Sequence, residues 1–201
     1  MGGARVNSRE EILRRVRDGL LDLPDDARRV TVRRSSGRPA DADPAERAAV
    51  LARFVERLRE QGSLVRLVDT TGLPAAVADV LYGMSVRTVL AAVEPGPAWL
   101  DHWAGAPGHA VVHGAGAASN GDAVVRDAVA GDASTGSLAL EVDGGPAVSE
   151  DMPQVCVVRA ERVFSSLPDA LDRLDPRRPL IWRGGPADAE LARQLVVLLV
   201  E

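Results

Sequence analysis

From Ser63 onward the sequence switches repeatedly between two hydrophobic periods. Short β-branched runs recur: "SLVRLVD" (63–69), "RTVLAAV" (87–93), "HAVVH" (109–113), "SLALEV" (137–142), "QVCVVRA" (154–160) and "PLIWRG" (179–184). Between several of them lie segments with helical spacing, such as "LPAAVADVLYGM" (73–84), the short "GPAWLDHWAG" (96–105) and "LPDALDRL" (167–174), the last capped by Ser166. A strand cannot bury both faces without covering layers, so this alternation predicts an α/β sheet covered by helices. "DAVVRDAVA" (122–130) satisfies either period and stays open between helix and strand. "ADAELARQLVVLLVE" (187–201) begins as a helix and ends in a β-branched run, which predicts a short helix followed by a terminal strand.

Two helices precede this alternation. Ser8 and Glu11 form a capping box before "EEILRRVRDGL", whose Ile12, Leu13, Val16, Leu20 and Leu21 share a face, so residues 9–21 are predicted helical. Residues 22–42, rich in Asp, Arg, Ser, Gly and Pro, read as a linker. Asp43, Pro44 and Glu46 then signal a second start, with Val50, Leu51, Phe54, Val55 and Leu58 inward and Gly62 as the stop. The expected organisation is a helix and Arg-rich linker over 1–42 and an α/β domain over 43–201.

Composition removes several chemistries. All 24 basic residues are arginine. Without lysine there is no Schiff-base catalysis and no Walker P-loop. The net charge of −5 argues against nucleic acid as a partner. The run "RRVTVRRSSGR" (28–38) is a solvated linker or a grip for an acidic partner. The single cysteine, Cys156, cannot hold an iron–sulfur cluster, and its apolar neighbours predict an inert buried thiol. No apolar run has transmembrane length and the N-terminus has no signal-peptide h-region, so a cytoplasmic chain with no membrane partner is expected.

Candidate sites are few. His109 and His113 bracket a β-like run; four positions along a strand span roughly 13 Å, too far to share a metal, and no metal site is expected. The glycine-rich "HGAGAASNGDA" (113–123) lacks the G-x-G-x-x-G spacing. "GDASTGSLALEVDGG" (131–145) sets Ser134, Thr135 and Ser137 around Gly136. It is either a backbone-and-hydroxyl nest for a carboxylate or phosphate, or a tight turn whose hydroxyls satisfy their own backbone.

The ordered set "SREEILRRVRDGL", "FVERLREQGSLVRLVD", "AVAGDASTGSLALEV", "QVCVVRAERVFSSLPDALDRL" and "GGPADAELARQLVVLLVE" resembles the LUD domain family of lactate-utilization protein C. The family counterparts are "SREEIL", "AIAETGTLVLES", "THIVVV", "LPEAL" and "GPSRTADIE". The resemblance implies a NagB/RpiA/CoA-transferase-like α/β fold. It also implies a place in the oxidation of L-lactate to pyruvate, beside iron–sulfur partner proteins that carry the clusters. No cofactor is expected on this chain. The residues carried over for a small carboxylate or phosphate ligand are Asp132, Thr135, Gly136 and Ser137, with Gly185, Pro186 and Asp188 opposite. The chain departs from the family where S-R-T is missing between Pro186 and Ala187 and where Gln154 replaces the histidine of "THI". Two other readings are a CoA-transferase or sugar-phosphate isomerase relative using Glu141, and a non-catalytic interaction module.

Overall fold

Asp43 and Pro44 start helix α1 (Pro44–Glu60) as the sequence predicts. The Asp43 carboxylate accepts the Ala45 N–H at 3.2 Å, and proline occupies the first turn, where its missing N–H does no harm. The computed structural model describes residues 14, 15, 18, 43–91, 97–113, 122–141, 152–185 and 193–201. The chain divides into two units, Met1–Arg34 and Ser35–Glu201. In the first, Arg14, Arg15 and Asp18 are helical. The rest of the expected helix 9–21, the linker 22–42, most of the glycine-rich stretch 113–123 and the short helix expected from 187 lie outside the described residues.

After α1 come β1 (Leu64–Val68), α2 (Leu73–Gly83), β2 (Thr88–Ala91), α3 (Asp101–Ala104), β3 (Ala110–His113), β4 (Ala123–Asp132), β5 (Ser137–Glu141), β6 (Gln154–Arg159), β7 (Val163–Phe164), α4 (Leu167–Leu171), β8 (Leu180–Gly184) and β9 (Leu195–Val200). The main path of the sheet runs β1-β9-β6-β4-β2-β3, and every pair along it is parallel. The ambiguous segment 122–130 is a strand. It occupies the middle of the sheet and is buried along nearly its whole length, which suits Val124, Val125 and Val129 better than a helix would.

The sheet is not uniformly parallel. Beyond Ala128, β4 pairs antiparallel with β5, and β5 pairs antiparallel with β8. On its other side, β4 keeps a parallel neighbour: β6 up to Val158, then the short β7 at Gly131 and Asp132. Helix α1 covers one face, with Val50, Phe54 and Leu58 packed on Ala128, Leu138, Val158 and Leu199. On the other face Val77 and Leu81 of α2 and Trp103 of α3 meet Val89, Val125, Val157 and Leu198. Helix α4 is shorter than its sequence pattern: Ser166 caps it, but regular helix stops at Leu171 and turns follow.

Phe54 locks α1 to the bend of β4. It is fully buried, and a Cβ added at Gly131 would sit 2.9 Å from its ring. Phe54→Ala is expected to cost about 3–5 kcal/mol. Urea unfolding checks it: the midpoint falls while the slope is retained.

Candidate functional site

The turn joining β4 to β5 is organised by one buried carboxylate. Asp132 has no exposed surface. Its Oδ1 accepts the Ser134 N–H at 2.8 Å and the Ser134 hydroxyl at 2.7 Å, and its Oδ2 accepts the Thr135 hydroxyl at 2.6 Å. Thr135 Oγ1 and Ser137 Oγ are 2.6 Å apart. An ionised carboxylate only accepts, so the Thr135 proton points to Asp132, and Ser137 in turn donates to Thr135. The backbone closes the same loop: the Gly136 N–H donates to Asp132 O at 2.8 Å, and the Ala133 N–H to Phe164 O at 2.8 Å. Burying the carboxylate is tolerable because its oxygens are met by these donors. The hydroxyl protons of all three residues are therefore spent within the turn.

Gly136 is required at this turn on two counts. Its φ is +72°, and a Cβ would lie 2.9 Å from Arg57 Cβ. The close approach brings the end of α1 onto the turn. Gln61, the residue that caps α1, donates from Nε2 to Thr135 O at 2.5 Å and accepts the Gly185 N–H on Oε1 at 2.8 Å. Gly185, just past β8, has φ +86°, and a Cβ there would be 2.7 Å from Ser137 Oγ. Three distant segments thus meet: the end of α1, the β4–β5 turn and the end of β8. Of the residues carried over from the resemblance, Asp132, Thr135, Gly136, Ser137 and Gly185 are together. Pro186 and Asp188 lie outside the described residues. Sequence reasoning missed Gln61, whose available signal was a polar residue with two hydrogen-bonding ends immediately before the helix-stopping Gly62.

A second polar group lies lower on the same sheet. Arg126, in the middle of β4, is 7% exposed, and its Nε has no hydrogen-bond partner. Its register partner on β6 is Cys156, and Gln154, also buried, shares that face one step back along β6. Gln154 Oε1 likewise has no partner. Burial lowers the pKa of Arg126, and the nearby Arg183 of β8 lowers it further. Burial pushes the Cys156 thiol up to about 12, against the opposing pull of Arg126 and Arg183. Cys156 is thus a neutral thiol at physiological pH, as its apolar neighbours predicted, and does not balance the guanidinium. Sequence reasoning also missed Arg126, whose signal was a cation inside the apolar run 122–130.

Other candidates are engaged elsewhere. Glu141 pairs with Arg178 at 2.6 Å, so its carboxylate is committed to a rim ion pair. His109 stacks on Trp103, with centroids 4.4 Å apart and planes 8° from parallel, and its Nδ1 lies 2.8 Å from Trp103 O. His113 ends the edge strand β3. Among the described residues no His, Cys, Asp and Glu side chains cluster as a metal site. No described helix is long and apolar enough to cross a membrane.

The fold is similar to that of a DUF162 family protein from Deinococcus radiodurans, known from a crystal structure. The TM-score is 0.58 and the identity 22%, over 77% of this chain and 98% of that one. At that identity the likeness concerns the fold alone. No protein-family model matches the sequence, and no curated protein matches it.

Gln61→Ala removes both bonds that tie α1 to Thr135 and Gly185. A loss of about 2 kcal/mol is expected, near 1 per bond. The Gly185 amide should lose hydrogen-exchange protection relative to neighbouring amides of β8.

Cys156 should resist iodoacetamide at pH 8 in the native protein and react once unfolded. Its folded-state pKa is raised, so its contribution to stability is intact below the ordinary thiol value of 9.0 and is lost as pH climbs toward about 12. Stability measured between those limits should fall less steeply in Cys156→Ala than in the wild type.

Proposed function

We propose that this chain is a component of an L-lactate oxidation system, acting beside iron–sulfur partner proteins that carry the electrons. The observation that supports this most is the meeting of two segments that the LUD resemblance pairs. Thr135-Gly136-Ser137 and Gly185 are about fifty residues apart in sequence, yet Gly185 sits against Ser137 so closely that a methyl group could not be inserted between them. The DUF162 neighbour, a LUD-domain-like relative in fold, is consistent with the same reading.

The division of labour follows from the residues. An iron–sulfur cluster takes several thiolates, and the one cysteine here is buried and protonated, so a cluster does not fit this chain. What the chain offers is a positioning surface: a turn stiffened around Asp132, with Thr135 and Ser137 on it, and arginine charge on the neighbouring strands. These groups bind and orient a small hydroxy acid; they do not accept its electrons.

The test is growth of the host with the gene deleted. A defect selective for L-lactate over glucose, restored by the intact gene and only weakly by a Thr135→Val, Ser137→Ala double variant, is the expected result. Equal growth on both carbon sources, with no second copy compensating, overturns the proposal.

A further inference from the structure

We propose that Arg126 binds the anionic end of a small hydroxylated ligand, a carboxylate or a phosphate, where β4 exchanges a parallel neighbour for an antiparallel one. The site lies along β4 from the β4–β5 turn, separate from it, and stands without the reading above.

Arg126 is the only cation among the buried residues described, and a guanidinium stays protonated inside a protein. Two arginines on the connections into β7 and β8 do have carboxylates: Arg162 meets Asp127 at 2.8 Å and Arg178 meets Glu141 at 2.6 Å. Among the described residues no carboxylate pairs with Arg126, and Arg183 adds charge of the same sign. Burying a guanidinium without a counter-charge is costly, and an anion bound to it would supply the charge that the described residues do not. Its planar fork matches the two oxygens of a carboxylate or phosphate.

On the β2 side of β4 the ladder ends at Ala91 opposite Val125, and the β5 ladder begins with Leu140 opposite Ala128. Arg126 and Asp127 fall between. Ligands of open α/β sheets bind beyond the carboxyl ends of strands. Arg126 lies just past the carboxyl end of β2. Gln154 adds a buried acceptor, Oε1, on the same face. An arginine for an oxyanion and an amide oxygen for a hydroxyl together fit a hydroxylated anion rather than a bare ion.

The experiment uses the full chain, with sodium L-lactate, sodium pyruvate and inorganic phosphate as probes at constant ionic strength. Binding is followed by calorimetry and by the ligand-dependent melting temperature. At least one probe should bind the wild type; the two organic acids report a carboxylate site, and phosphate reports a phosphate site. Arg126→Met should weaken that binding tenfold or more, yet melt at or above the wild type without ligand, because a buried unpaired charge has been removed. Arg126→Lys should bind with intermediate affinity. Unchanged binding by Arg126→Met, no binding of any probe by the wild type, or a lower melting temperature of Arg126→Met without ligand each overturns the proposal. A lactate growth defect alongside unchanged binding by Arg126→Met would defeat this site and leave the pathway reading standing.

Discussion

Strand β4 satisfies its backbone over ten residues by changing partners part-way along. Its first half lies between β2 and β6, its second between β5 and β7. The register shifts between Ala128 and Ala130, where the change occurs. Bulges of this kind bend a strand and re-aim side chains, and they are common beside binding sites. Everything of functional interest hangs on this bend. Asp132 ends the upper half and organises the turn, while Arg126 lies just below the exchange.

The two polar groups on β4 solve burial in opposite ways. Asp132 is closed to solvent but fully matched, with three donors on its two oxygens. That makes it a structural anchor for the turn and, through Gln61, for the ends of α1 and β8. Arg126 is nearly as buried and has no such donor–acceptor closure. The handling of neighbouring charge sharpens the contrast: Cys156, its register partner, is held protonated by burial and contributes no negative charge. A matched buried ion reads as architecture, an unmatched one as an unfinished interaction.

Much of this fold was legible because hydrophobic period is a local property. The strands at 64–68, 88–91, 110–113, 137–141, 154–159, 180–184 and 195–200 each announce themselves by short apolar runs, most of them β-branched. Helix α1 does so by its cap and its apolar face, with Val50, Phe54, Val55 and Leu58 buried as their spacing required. The segment 122–130 was ambiguous because a strand buried on both faces has no alternation to reveal it, and because Arg126 interrupts the run. The antiparallel direction of β5 and β8 was not legible, since a strand's period says nothing about its orientation. The candidate site was half legible: Thr135, Gly136, Ser137 and Gly185 could be named from ordered segments, whereas Gln61 and Arg126 are ordinary residue types whose importance depends on what surrounds them.

By itself the sequence determined which chemistries are closed to this chain and where its elements begin. Lysine-dependent catalysis and cluster binding depend on residue inventory, and helix starts and strand runs depend on neighbours a few positions away. The tertiary structure alone decided that Ser137 lies against Gly185, that Gln61 bridges two strand ends, and that Arg126 is enclosed with no carboxylate among the described residues paired to it. Those facts arise from contacts between segments distant along the chain and from desolvation, and neither has any local signature in the order of residues.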